Sequence, residues 1–172
     1  MNITPVFNPE RPSDSEQRVL DAIADRGVAD FTAEPAAARR LHGAFIEALI
    51  SGSQPGIPQL CCPLRLRGAE IIGPIRALPA AGNGVAMTLL FRECRFDSPV
   101  DFSGGDFLSL RLVHCTLPAL IGISLTTRAD LDLSGSQFSG VTDYLSDLGE
   151  VGDCAVYLSH AHIGGRLLLS AG

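Results

Sequence analysis

Cys94 and Cys115 stand 21 residues apart, and two thiols at a fixed offset can close a disulfide or hold a metal. The run Ser159-His160-Ala161-His162 puts two imidazoles at alternating positions, with Asp153 shortly before it. That is the spacing at which an extended segment grips a metal. Asp97, Asp101 and Asp106, then Asp130 and Asp132, supply carboxylates of the kind that pair as acid and base in glycoside chemistry. Glycine-rich turns at 82–84 (GNG) and 103–105 (SGG) are built for close approach to a phosphate. Neither precedes a Lys or joins a strand to a helix. Cys61-Cys62 is an adjacent pair without the spacing of a zinc site, and Cys154 stands alone. Ser, His and Asp all occur, yet no spacing joins them into a triad.

Whatever positions these groups is one domain's worth of chain. The sequence has 172 residues, 46% of them apolar and 19% charged, the balance of a folded globular protein. No apolar run approaches the roughly 18 residues of a membrane span. The start, MNITPVFNPERPSD, has neither the basic opening nor the apolar stretch of a secretory leader. Five cysteines without a leader fit a reducing compartment, so a cytoplasmic location is expected. All 13 basic residues are Arg, set against 19 acids, and the net charge of −6 argues against direct binding to a nucleic-acid backbone.

Residues 1–12 read as an extended lead interrupted by Pro5, Pro9 and Pro12. A helical cap is expected over 13–52. Its first helix is capped by Ser13 or Ser15, with Glu16 three residues after Ser13, and it stops near Gly27. Its second helix starts between Thr32 and Pro35 and ends before Gly52, with Leu41, Ala44, Phe45, Ala48 and Leu49 on one stripe.

After Pro63 the period falls to two, and a five-residue repeat lies above it. LLFRE, CRFDS, VDFSG, GDFLS, LRLVH and CTLPA run from 89 to 119 with one extra residue, Pro99. Their first and third places hold Leu89/Phe91, Cys94/Phe96, Val100/Phe102, Gly105/Phe107, Leu110/Leu112 and Cys115/Leu117. Most second places are polar. LRLRGAEIIG at 64–73 and VYLSHAHIGG at 156–165 share the template, and VDFSGGDF at 100–107 matches LDLSGSQF at 131–138.

Each unit gives a short extended side with two inward residues and then a corner suited to Gly, Ser, Asp or Asn. Four sides close a coil of about 20 residues, and coils stack about 4.8 Å apart by parallel pairing. No coil buries its inward residues alone, so coils need neighbours above and below. Loops are expected at 79–86 and 142–155. In LIGIS and LTTRA, over 120–130, Gly122 and Thr127 fall where a large apolar residue belongs, so a bulge or corner insertion is expected there.

The units CRFDS, GDFLS, CTLPA, AEIIG, SQFSG and AHIGG resemble the pentapeptide-repeat superfamily. Within it, the chain looks most like a group common in high-GC bacteria, in which an "FIEALISG"-like helix end precedes coils reading LRLRGAEIIG and VYLSHAHIGGRLLLSAG. The resemblance covers roughly residues 20–172. It implies an all-β solenoid, a right-handed parallel β-helix of pentapeptide-repeat type over 64–172 with an N-terminal α-helical cap. It implies little about function. Several relatives continue into further coils and a hydrophobic tail. This chain stops in mid-pattern at LLLSAG, which leaves room for a longer protein with a membrane tail beyond residue 172.

In that frame Cys94 and Cys115 stack inside the coils as small buried hydrophobes, with no room for a tetrahedral metal site. His160 and His162 face solvent without a third ligand, and the aspartates serve corners and solubility. No catalytic residue, cofactor or metal is expected. The leading function is a non-enzymatic scaffold that binds another macromolecule, most naturally a protein. Its candidate contact is the loop TDYLSDLGEVGDCA at 142–155, through Tyr144, Leu145, Asp147 and Glu150. Leu167 and Leu169 on the last coil are the candidate end-to-end interface of a homodimer. One alternative is DNA mimicry aimed at a topoisomerase, as proposed for family members that shield DNA gyrase. It draws on the acids between 128 and 153, where six stand against one Arg. A carbohydrate-active β-helix enzyme is the other, and the short corners offer it no cleft.

Overall fold

The computed structural model describes residues 11–52, 63–76, 87–140 and 155–170. Its strands are short because the pattern that makes them is short: Leu64 and Leu66 turn inward and are buried, while Arg65 between them is exposed. Strands of this kind pair in parallel into stacks. One stack runs Ala29–Asp30, Leu64–Arg67, Met87–Arg92, the second half of Asp106–Val113, Leu131–Asp132 and Leu167–Leu168. A second runs Arg40–His42, Glu70–Ile72, Arg95–Phe96, Thr116–Leu117 and Gln137–Phe138. A third holds Ile75–Arg76, Val100–Asp101, Leu120–Ile121 and Val156–Tyr157. The first half of Asp106–Val113 continues through Thr126–Thr127 to His162–Ile163 as a fourth face. The chain thus returns to the same face coil after coil, an architecture consistent with a β-solenoid.

The core is a set of inward columns. Leu64, Leu89, Leu110 and Leu131 stand in register at 0 to 1% exposure, and Phe91 and Leu112 are buried beside them. Burying each such side chain contributes about 1.5–3 kcal/mol. Phe91 meets Phe96 edge-on at 5.5 Å, and Phe102 meets Phe107 at 5.3 Å. Corners repeat as faithfully as sides. Gly68, Glu93, His114 and Gly135 occupy one corner of successive coils, all with φ between 52° and 70°. Gly104, Ser124 and His160 do the same at another, with φ between 53° and 68°. The corner geometry therefore imposes a left-handed backbone on Glu and His as well as on the glycine and small polar residues expected there.

The N-terminal cap differs from the expected pair of long helices. The first helix, α1 (Asp14–Ala24), has the capping box foreseen at Ser13 and Glu16, and Arg26 rather than Gly27 takes the left-handed turn that ends it. The second is much shorter. Ala36–Arg39 forms a 3-10 turn, Arg40–His42 is a strand, and only α2 (Gly43–Ser51) is helical, stopping at Gly52 with φ 61°. The physical reason is the open edge of the first repeat coil: Leu41 pairs onto Ile71 and is buried at 1%, a gain that local helix propensity does not match. The cap so prolongs two faces with strands and covers the third with α2, which packs on Ile75–Arg76. Glu16, 2% exposed, ties α1 to the strand through a 2.8 Å contact with His42 Nδ1.

The irregularity expected at 120–130 is absent there. Leu120 pairs with Val100 and Val156, and Thr127 with Phe107 and Ile163, without a shift. Gly122 is tolerated because Leu158 and Leu125 fill its place, their Cδ2 atoms 2.8 and 2.9 Å from where a Cβ would stand. Thr127 is fully buried, with its hydroxyl donating to the Ala129 carbonyl at 3.2 Å. The bulge lies instead opposite Met87 and Thr88, which pair with Phe107 and Ser109 and leave Leu108 between them, 47% exposed. No helix among the described residues is long and apolar enough to cross a membrane.

Candidate functional site

The outward places of the coils carry charge that is matched between neighbours. Arg67 contacts Glu93 at 3.1 Å and Asp30 at 3.6 Å, Arg128 contacts Asp106 at 2.7 Å, and Arg166 contacts Asp130 at 2.7 Å. Arg111 holds Asp132 with two bonds of 2.9 and 3.1 Å. The carboxylates read from the sequence as possible acid and base thus have structural partners. Asp101 accepts from Ser103 N at 2.9 Å and Asp132 from Ser134 N at 3.1 Å, which are turn-closing bonds, and Asp97 accepts from Gly73 N of the preceding coil at 2.8 Å.

Asp132 is the exception to the exposure expected of these outward places, because Arg111 covers it and leaves its side chain 5% exposed. Burial raises its carboxyl pKa, and the bonds from Ser134 and Arg111 outweigh that and hold it below the usual range. A lowered folded-state pKa means stability that is present above the unfolded value near ~3.9 and lost as pH falls through the folded one. Asp132→Asn is expected to cost about 1 kcal/mol at pH 7, with the gap to the natural chain closing between pH 5 and acid conditions. Urea midpoints across that range measure it.

The inward thiols behave as sequence reading expects of buried residues. Both are free, at 2% exposure for Cys94 and 1% for Cys115. The contact with Cys115 together with burial pushes the Cys94 thiol well up. His160 and His162 are exposed, and His160 Nδ1 lies 2.8 Å from Ser159 Oγ. Among the described residues no group of three or more His, Cys, Asp or Glu could hold a metal. Tyr144, Leu145, Asp147 and Glu150 lie outside the described residues, as do Cys61, Cys62, Asp153 and Cys154.

Leu167 and Leu169 are 44% and 64% exposed on the last described coil. They are not alone. Phe138, Val156, Leu158, Ala161 and Ile163, the inward residues of the same coil, are only partly buried, whereas Leu117, Leu120 and Leu125 one coil earlier are at 0 to 1%. Among the described residues the strands of this coil pair on one side only. In the inner coils an inward residue donates its N–H to the coil that follows, as Leu110 N does to the Asp130 carbonyl and Leu131 N to the Arg166 carbonyl. The N–H groups of Leu167 and Leu169 therefore point away from the other described coils.

The charge on the outward ring changes along the same axis. Arg95, Asp101, Asp106 and Arg111 occupy its second places in one coil, then Thr116, Ile121, Thr126 and Asp132, then Gln137, Tyr157, His162 and Leu168. The last ring has no Arg, Asp or Glu. Arg166, paired to Asp130, stands at a corner of the same coil. Sequence reading named the two leucines and missed the wider apolar end, although the alignment of 156–169 with the earlier units carried the signal. Neither family models, curated proteins nor solved structures gave a match to this chain.

Proposed function

We propose that the chain is a scaffold of the pentapeptide-repeat type, a right-handed quadrilateral β-helix whose role is to bind protein rather than to transform a substrate. The single observation that supports it best is the last described coil. Among the described residues it combines strands paired on one side only, half-exposed apolar rungs from Phe138 to Leu169 and four outward places, Gln137, Tyr157, His162 and Leu168, that hold no Arg, Asp or Glu. Such an end is a template for further β-structure. The occupant proposed is a second copy of this chain, because four outward places without Arg, Asp or Glu, beside an Arg166 already paired to Asp130, can face themselves with little like-charge repulsion. A two-fold contact is also self-closing: the opposite end carries α1, α2 and the strands at 29–30 and 40–42, so growth into a filament is blocked.

Light scattering of the 172-residue chain, repeated with Leu167→Asp and Leu169→Asp together, tests the reading. A dimer that becomes a folded monomer on substitution supports it. A monomer in both cases contradicts it and moves attention to the segment 142–155.

A further inference from the structure

The column that carries Ala69, Cys94, Cys115 and Ser136 is unusual among the inward columns in holding two thiols on consecutive coils. Arg95 pairs with Thr116, and Thr116 N donates to the Cys94 carbonyl at 2.9 Å, so Cys94 and Cys115 are direct neighbours along the stack. Their surroundings are copies of one another. Each Sγ faces the carbonyl two residues earlier, at 3.3 Å for Arg92 and 3.5 Å for Val113. Each also faces a carbonyl of the preceding coil, at 3.8 Å for Leu66 and 3.4 Å for Phe91, and Leu66 and Phe91 are themselves register partners. One thiol is therefore the other moved along the axis by one coil, which sets the sulfurs apart by about the strand spacing of ~4.8 Å.

That translation decides what the pair can bind. A disulfide needs its sulfurs at about 2.05 Å with a Cβ–S–S–Cβ torsion near ~90°, and two translated side chains present a torsion near zero. Tetrahedral zinc needs four ligands, and no such group exists among the described residues. A two-coordinate ion lying between the sulfurs needs neither. With metal–thiolate bonds of about 2.3 Å, the zinc value taken as a guide, two opposed thiolates span about 4.6 Å. The side chains at either end of the column are small, and the Ser136 hydroxyl is already committed, donating to the Leu112 carbonyl at 2.7 Å and accepting from Cys115 N at 2.9 Å.

We propose that Cys94 and Cys115 form a linear two-coordinate site for a soft divalent cation, with mercury(II) as the ion that fits. Soft cations prefer thiolate ligands. The dry surroundings, 2% and 1% exposed, select the charge, because two thiolates cancel a divalent ion while a monovalent one leaves a buried negative charge unpaired. Binding from mercuric chloride forms two sulfur–mercury bonds, breaks two S–H and two mercury–chloride bonds, and releases two protons and two chlorides to solvent, with no change of oxidation state.

The test uses the full chain with Cys61, Cys62 and Cys154 replaced by Ser and one equivalent of mercuric chloride. The ultraviolet thiolate-to-mercury band and a pH indicator are read without added thiol, and native mass spectrometry reads retention after a competing monothiol is added. One retained ion and two protons per chain are expected. Cys115→Ala should lower affinity by at least ~100-fold, since one fixed thiolate loses the advantage of the second. Alanine already stands in this column at position 69, so the variant keeps its fold, which circular dichroism checks. Retention unchanged by Cys115→Ala, or no ion retained by the parent, overturns the proposal.

Discussion

Replacing Phe102 with Ala is expected to cost about 3–5 kcal/mol, while Leu108→Ala stays within about 0.5 kcal/mol. Both residues belong to consecutive units of the repeat, and hydrophobicity alone does not separate them. Phe102 is fully buried, in the inward column that continues to Gly122 and Leu158, with its ring edge-on to Phe107. Gly122 has no side chain to lean into the space a missing ring would leave, and Leu125 and Leu158 already occupy the room around it. The cavity therefore stays open, and the cost includes both lost transfer energy and lost contacts. Leu108 sits on the bulge with 47% of its surface exposed and supports no column. Thermal unfolding of the two variants, side by side, measures the contrast. Equal losses would mean that the inward columns are wrongly assigned.

Gly43→Ala is the second substitution with a large expected effect, about 3 kcal/mol or some 6–12 °C in Tm. Gly43 opens α2 where the helix crosses the corner of the first repeat coil. A Cβ there would stand 2.5 Å from the Gly73 carbonyl oxygen and just as close to that of Pro74. Those are backbone atoms held by pairing on both sides, so the helix must move instead. Moving it uncovers Phe45, Ile46 and Leu49, all at 0% exposure, and opens the end of the third face that α2 covers. Ala44, exposed on the same helix, tolerates substitution by Ser and serves as the control. A Gly43→Ala chain as stable as the natural one would show that α2 is not seated on this corner.

How far the sequence disclosed these elements depends on how local the cause was. Leu89, Leu110 and Leu131 recur at 21-residue intervals because one coil has that length, so a period in the sequence became a column in space. The capping box at Ser13 and Glu16 was equally legible, being complete within four residues. Arg40–His42 was not. Its residues sit in a stretch with helical spacing, and they form a strand because Ile71, 30 positions later in chain order, offers Leu41 an open edge. Gly122 misled for the same reason, since Leu158 on the next coil completes its place, whereas Thr127 is satisfied locally, its hydroxyl donating to the Ala129 carbonyl two residues on. The true bulge at Leu108 lies inside units that read as perfect repeats. At the candidate site Leu167 and Leu169 stood out as apolar residues of the final unit. The uncharged ring of Gln137, Tyr157, His162 and Leu168 emerged only when register placed these four residues on one level.

The last described coil is proposed as an interface closed by a second copy. The backbone amides that point off that end report on it directly. Amide hydrogen exchange of Leu158, Leu167 and Leu169, followed by nuclear magnetic resonance at increasing protein concentration, compares them with Leu110 and Leu131, whose N–H groups are bonded within the stack. Fast exchange at low concentration is expected, with a slowing of more than about tenfold as dimers form and with Leu110 and Leu131 slow throughout. Exchange at Leu158, Leu167 and Leu169 that stays fast at every concentration would contradict it.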